Sequence, residues 1–315
     1  MHNEEESMDA FFSRVESVMA AEGYHYEIVC INDGSRDRTL EGLIAHRRRN
    51  PAVKIVDFSR NFGKEAALTA GIDFSTGAAV IPIDADLQDP PELIPQLVEK
   101  WREGYHCVYA TRADRTSDSY LKRKTAERFY RSFNAISEIA IPYNAGDFRL
   151  IDRKVVDTLK RMPERNRFMK GIFSWVGFKQ TSIEYARPER EQGESAFGFW
   201  RLWNFALDGF TSFSTVPLRI WSYIGVFISG IAVVYAVFII SRTLMQGIDV
   251  PGYASLLVVT LILGGLQLFT LGVFGEYLGR VYLESKNRPL YLVNSTYGMS
   301  QRESETDPTP KIDPT

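Results

Sequence analysis

Cysteine and histidine are scarce in this 315-residue chain, with two of the first and four of the second. Cys30 and Cys107 have neither metal-ligand spacing nor a paired framework, which argues against a disulfide scaffold and fits a reducing compartment. The scattered histidines argue against a His-based metal centre or triad. A net charge of −2 leaves no footprint for nucleic acid. Met1 leads straight into His2-Asn3-Glu4-Glu5-Glu6, so no cleavable signal sequence is expected. The most telling shortage is local: Ile220 to Ser241 and Val250 to Gly275 contain no charged residue.

Each of those runs exceeds the ~20 residues that cross a bilayer, and a short loop joins them, so the sequence predicts a membrane hairpin. The joining loop, Arg242 to Pro251, carries one basic residue, whereas the outer flanks hold Arg201 and Arg219 on one side and Arg280, Lys286 and Arg288 on the other. That bias predicts a cytoplasmic catalytic domain and tail. Trp200, Trp203, Leu207 and Phe210 recur at helical spacing just before the first run, as in a helix lying in the interface. The expected organisation is a polar domain over 1–195, interfacial helices over 196–216, two transmembrane helices over 217–279 and a tail over 280–315, its end disordered.

What is present ahead of the hairpin is an alternation of short apolar runs and helix-period segments. Met8, Phe11, Phe12, Val15, Val18 and Met19 predict a helix stopped at Gly23. Tyr26 to Ile31, Val53 to Phe58, Ala78 to Ile83 and Cys107 to Ala110 read as strands. Ser35 is placed to cap the helix through Leu40, Leu43 and Ile44, Gly63 to Phe74 forms another, and Asp89-Pro90-Pro91-Glu92 opens a third that ends near Gly104. The fold class is therefore α/β with a mainly parallel sheet, and ligands belong beyond the carboxyl ends of its strands.

Asp33 and the pair Asp84 and Asp86 fall at those ends. The two carboxylates, two residues apart with no cationic neighbour in sequence, suit Mg²⁺ or Mn²⁺ bound together with substrate phosphates. Asn32-Asp33-Gly34-Ser35 reads equally as an ordinary turn and as an acceptor for a base or ribose. Arg60-Asn61-Phe62-Gly63-Lys64 is a basic loop before a helix, open to a nucleotide phosphate or to simple capping. Gly146-Asp147-Phe148-Arg149-Leu150 places an acid and a base beside a glycine. Arg165, Arg167 and Lys170 surround Phe168-Met169, and Arg187 and Arg190 precede Gln192-Gly193-Glu194-Ser195. These cations read as a solvated face or as a grip on a lipid phosphate.

Together these residues resemble the family 2 glycosyltransferases that act on polyprenyl phosphates, the group of bactoprenol glucosyltransferases and dolichol-phosphate mannose synthases. The likeness covers nearly the whole chain. It runs through Asn32 to Ser35, Ser59 to Glu65, Asp84 to Glu92, Gly146 to Leu150, Arg167-Phe168-Met169-Lys170-Gly171 and Gly275-Glu276-Tyr277-Leu278-Gly279-Arg280. The resemblance implies a GT-A, Rossmann-like catalytic domain, a divalent metal at Asp84 and Asp86, inversion at the anomeric carbon and a homotetramer in the bacterial inner membrane. It places the nucleotide sugar against Glu4, Asp33, Asn61, Lys64, Asp84, Asp86 and Gln88. The lipid phosphate would lie against Arg149, Arg167, Lys170 and Arg190. Asp147 stands where the family's proposed base stands, either as a base or as a group orienting acceptor or sugar. Glucose from UDP-glucose passing to undecaprenyl phosphate is the expected reaction. Aminopentose, N-acetylhexosamine or mannose donors, or a scaffold that only binds nucleotide sugar, are the alternatives. The chain departs from the pattern twice. It begins at His2-Asn3-Glu4, inside a motif that in the family ends the first strand, so that strand is expected to be missing. Ala196 also stands where a Lys is common.

Overall fold

The computed structural model describes residues 1–112, 145–162, 164–165, 167–185, 216–246 and 252–299. Helix α1 (Met8–Glu22) buries Met8, Phe11, Phe12 and Val15 along one face. It ends at Gly23, whose φ of 64° lets its N–H turn back to the Ala20 and Met19 carbonyls. Strand β1 (Ile28–Asn32), helix α2 (Thr39–Arg49), strand β2 (Val53–Phe58) and helix α3 (Lys64–Phe74) follow in the expected alternation. Ser35 does not cap α2. Its hydroxyl accepts the Asn3 N–H, and Asp37 is the residue that takes the Thr39 N–H and hydroxyl at 3.0 and 2.6 Å.

Strand β3 is only Ala79–Val80, shorter than its apolar run predicts. A 3₁₀ turn at Pro91–Leu93 leads into α4 (Ile94–Arg102), then β4 (Cys107–Arg112). Strand β5 (Ala145–Asp152) passes directly into α5 (Arg153–Lys160), because the Asp152 carboxylate accepts the Lys154 N–H at the helix start. Helix α6 (Met169–Trp175) and strand β6 (Gln180–Tyr185) complete this part. Two long helices, α7 (Val216–Gln246) and α8 (Tyr253–Ser285), precede a last strand, β7 (Val293–Tyr297).

The strands form two sheets rather than one, ordered β1-β2-β7 and β3-β5-β4-β6. The expectation of a largely parallel sheet fails among the described residues. β1–β2 and β4–β6 run parallel, while β2–β7, β3–β5 and β4–β5 run antiparallel. Strand direction is set here by long-range partners, and β5 and β7 run opposite to the strands they join.

Side chains alternate across each sheet. In the first, Cys30 and Ile55 face α1 and α2, whereas Ile31, Val56 and Phe58 face α3. In the second, Phe148 and Leu150 pack on α4, whereas Ile151 packs with Val155, Val156, Met169 and Phe173 of α5 and α6. Asp147 and Arg149 share that second face by the same alternation.

Helices α7 and α8 leave most of their large apolar side chains exposed, with Val226 at 74% and Leu244 at 82%. They touch through Trp221 and Phe269, whose ring centres lie 4.8 Å apart. Among the described residues one stretch, Ile262–Ser285, is long and apolar enough to cross a membrane by length and composition, and Tyr223–Tyr235 is a shorter apolar stretch. The interfacial helices expected over 196–216 lie outside the described residues, apart from Val216 at the start of α7.

Part of the stretch expected as a cytoplasmic tail from residue 280 joins the first sheet. β7 pairs with β2, and Tyr291, 1% exposed, stacks on Phe58 at 4.9 Å while its hydroxyl donates to Asp73 at 2.9 Å. Arg165 fastens the end of α8 to this body through the Glu284 carboxylate, the Asn287 side chain and the Arg288 carbonyl. Truncating Tyr291 to Ala opens a large cavity and orphans the Asp73 carboxylate. The expected loss is about 3–5 kcal/mol, read as a lowered Tm of the detergent-solubilised chain; an unchanged Tm would show that β7 does not belong to the catalytic fold.

Candidate active site

The site forms where β1, the run beyond β3, and β5 approach the start of α3. Asp33 follows β1 and is 4% exposed. Its two oxygens accept the Phe62 and Gly63 N–H groups at 2.6 and 3.0 Å. The 60–61 backbone rests on Gly34: a Cβ there would lie 2.4 Å from both the Arg60 carbonyl carbon and the Asn61 nitrogen. Asp33 is thus a clamp for the loop before α3. Beneath it, the buried Asp57 carboxylate takes Asn32 and Asn294 side-chain N–H groups at 2.7 and 2.8 Å, tying β1, β2 and β7 together.

The clamped loop delivers Lys64. Its ammonium lies 2.7 Å from Asp84 and 2.8 Å from Asp147. Lys170 of α6 sits 3.9 Å from the other Asp147 oxygen. Burial would push the Asp147 carboxyl up, but Lys170 and Lys64 outweigh it and hold the group below the ordinary range. Burial pulls the Lys64 ammonium down, yet Asp147 and Asp84 more than reverse this and raise it. Neighbouring Glu65 accepts the Met169 N–H at 3.1 Å, and burial raises its pKa.

Asp86 is exposed in the turn after Ala85, where one of its oxygens accepts the Gln88 N–H at 3.1 Å. Leu87 beside it has a φ of 56°, a left-handed conformation that folds the turn tightly. Among the described residues no group of three or more His, Cys, Asp or Glu side chains could enclose a metal ion. Two accessible carboxylates are nevertheless the donor set that Mg²⁺ or Mn²⁺ accepts when phosphate oxygens complete its shell, so Asp84 and Asp86 fit the expected metal.

The other expected residues divide. Met1, His2, Glu4, Asn61 and Lys64 line the same cleft as Asp84, Asp86 and Asp147. Glu4 also accepts the Ser7 hydroxyl at 2.5 Å. Gln88 is half-buried in the carboxylate turn through its own backbone N–H. Arg149 is not at an open phosphate site. It is 3% exposed, its guanidinium lies 4.3 Å over the Phe173 ring, and it donates to the Gly146 carbonyl at 2.6 Å. Arg167 staples its own turn by donating to the Glu164 and Met162 carbonyls at 3.0 and 2.8 Å. Of the four expected phosphate contacts only Lys170 joins the cluster, and Arg190 lies outside the described residues. The Lys64–Asp147 contact and Glu65 were not foreseen, although Glu65 stands beside a lysine that was singled out.

A cluster of carboxylates and lysines at the strand ends of an α/β body, with a donor set for a divalent cation, is the site of a group-transfer enzyme. Residues 1–160 match the family described as Glycosyl transferase family 2. A bactoprenol glucosyl transferase of Shigella phage SfX is 53% identical over 293 residues, covering 93% of this chain and 96% of that protein. An uncharacterised glycosyltransferase of Synechocystis is 56% identical over 299 residues, covering 95% and 94%. A prophage bactoprenol glucosyl transferase homolog of Escherichia coli K12 is 53% identical over 291 residues, covering 92% and 95%. A solved mannosyltransferase from Pyrobaculum calidifontis in complex with GDP-Man and Mn²⁺ covers 92% of this chain and 86% of its own at 14% identity and a TM-score of 0.47, too loose a likeness to carry an argument. The chain belongs to glycosyl transferase family 2, and it is a glycosyltransferase.

The Lys64 bridge sets a pH dependence. A carboxyl whose folded value is lowered contributes stability above its unfolded value and loses it as pH falls through the folded value. Lys64→Met leaves burial of Asp147 opposed by Lys170 and Arg149 alone, so its pKa rises. Acidification below pH ~5 should therefore cost the variant less thermal stability than it costs the wild-type chain, because its Asp147 has less lowered-pKa stabilisation to lose. Coincident profiles below pH ~5 would show that Lys64 does not hold Asp147 ionised.

Proposed function

We propose that this enzyme transfers glucose from UDP-glucose to undecaprenyl phosphate at the cytoplasmic face of a bacterial membrane, with inversion at the anomeric carbon. The observation that carries the proposal is the ionised, lysine-held Asp147 beside the Asp84 and Asp86 pair. The support for its substrates is the 53% identity to a protein named bactoprenol glucosyl transferase over 93% of the chain.

The electrostatics suit a phosphate acceptor better than an alcohol. A carboxylate held below its ordinary range is a weak base. A phosphomonoester has its second pKa near ~6 and is already largely ionised, so it needs little help to attack. Asp147 therefore orients acceptor or sugar rather than abstracting a proton. Lys64 is placed to exchange a carboxylate partner for a diphosphate oxygen when donor enters. Mg²⁺ or Mn²⁺ held by Asp84 and Asp86 would neutralise the departing nucleoside diphosphate. Lys170 is the first candidate for the lipid phosphate, and Arg167 and Arg190 are the further candidates that the sequence offers.

The membrane part follows from chain order. Residues on both sides of α7 and α8 build one catalytic body, because β7 pairs with β2. The intervening helices must leave and return on the same side. At 1.5 Å per residue, 31 and 33 residues reach about 46 and 50 Å, more than the ~30 Å hydrocarbon core. Two helices so apolar, exposed and closely joined form a two-pass hairpin with both ends cytoplasmic. An oligomer, a tetramer by family resemblance, would complete the assembly.

Purified enzyme incubated with undecaprenyl phosphate and a panel of nucleotide sugars, followed by mass spectrometry of the lipid, should yield a hexosyl product from UDP-glucose. Asp86→Ala or excess chelator should abolish it. A pentose or N-acetylhexosamine product would correct the donor, and no product from any donor would sink the transferase assignment. For topology, Ile248→Cys should react with a membrane-impermeant thiol reagent in intact cells while Ser285→Cys should not; the reverse pattern overturns the hairpin.

A further inference from the structure

We propose that Arg149 is a positioning residue: its buried guanidinium straps the bulge in β5 that presents Asp147, and through Phe173 it fixes α6 so that Lys170 meets the same carboxylate. The kinetic consequences rest on the transferase reading; the strap itself does not.

Strands β4 and β5 pair regularly from Cys107 opposite Ile151 to Tyr109 opposite Arg149. The next pair is Thr111 opposite Ala145, so two steps along β4 span four along β5. The surplus is taken up among Gly146, Asp147 and Phe148. A bulge of this kind bends its strand and re-aims a side chain. Asp147 is the side chain re-aimed, while Phe148 beside it is 1% exposed and packs on α4. Bulged residues lose ladder partners, so other groups must hold them. Arg149 supplies that hold by donating to the Gly146 carbonyl at 2.6 Å, across the bulge.

The same guanidinium lies 4.3 Å over the ring of Phe173, a fully buried residue of α6. Asp147 and Arg149 are two apart on a strand, and Lys170 and Phe173 are three apart on a helix. Neighbours on one element therefore face neighbours on the other. Lys170 reaches Asp147 at 3.9 Å. β5 and α6 thus meet through two rungs, one ionic and one of cation over ring. The second rung is screened from water, where such a contact is strongest.

Burial separates this role from a grip on the acceptor. Arg149 is 3% exposed, and its Nε is buried without a hydrogen-bond partner among the described residues. A cation placed to receive a solvated phosphate keeps its donors open, as the half-exposed Lys64 does. A buried charge is costly unless it is compensated. Here the ring and the Gly146 carbonyl compensate it, and both belong to the scaffold of Asp147. Burial raises the Asp147 carboxyl, and Arg149 acts with Lys170 and Lys64 to lower it.

The full chain in detergent is compared with Arg149→Met, which keeps an apolar stem and removes the guanidinium. Hydrogen exchange over Ala145–Leu150 should quicken about tenfold or more, while exchange over Val293–Tyr297 in the other sheet stays within about twofold. Phe173→Leu, which removes only the ring, should quicken the first segment by about threefold. In transfer assays, kcat of Arg149→Met should fall about 30-fold or more, with the KM of each substrate within about threefold of wild type. On an Asp147→Asn background, Arg149→Met should cost nothing further, because the strap acts through that carboxylate. Unchanged exchange in both variants overturns the proposal. An equal rise in both sheets also overturns it, since that marks a general loss of packing. A raised KM for undecaprenyl phosphate with kcat kept would make Arg149 an acceptor ligand instead, and losses that multiply with Asp147→Asn would refute action through Asp147. If the wild-type chain transfers no sugar, the function reading fails, and exchange alone decides the strap.

Discussion

The Lys64 ammonium, 2.7 Å from Asp84 and 2.8 Å from Asp147, is the point at which the separate parts of this enzyme meet. Asp84 lies in the run beyond β3, Asp147 belongs to β5, and α3 follows a loop that Asp33 clamps from the end of β1. A cation in the first turn of a helix sits at the unfavourable end of the helix dipole. Two carboxylates offset that cost and dictate where the ammonium must be. The contact with Asp84 is about half exposed, so it adds little to stability. Its value is positional, since one side chain registers the carboxylates of one sheet against the loop carried by the other.

The same economy appears one layer down. Asp57 is buried with no cation among its hydrogen-bond partners, and neutral amides from β1 and β7 satisfy its oxygens. A carboxylate so placed makes strand identity matter, because an apolar residue at either amide position would leave buried charge unpaired. The first sheet is therefore specified by polar matching at its strand ends and by apolar packing along its faces.

Much of this was legible in the chain. The helical spacing of Met8, Phe11, Phe12 and Val15 and the stop at Gly23 gave α1 almost residue for residue. The Asp84 and Asp86 pair stood out because an apolar run delivers it. What escaped was decided by partners far away in sequence. Val293–Tyr297 has Asn294, Ser295 and Thr296 at its centre and no apolar alternation, so nothing local marks it as a strand; Asp57 and Phe58 make it one. Arg149 reads as a surface cation beside Asp147, but the Phe173 ring and the Gly146 carbonyl draw it inward. The split into two sheets was hidden for a similar reason. Strand pattern counts strands and does not say which edges close.

The return of β7 to β2 after two long helices has a consequence for how the molecule is made. A ribosome delivers Phe58 long before Val293, which lies 235 positions further along the chain. At ordinary elongation rates that interval is roughly 12–47 s. For all of it one edge of β2 stands open, and Asp57 lacks the Asn294 amide. The amino-terminal half emerges early but cannot finish its sheet until both apolar helices have been synthesised and have found their surroundings. Completion of the catalytic body is thus the last event of biogenesis, and a chain that fails to settle its helices never acquires a finished site.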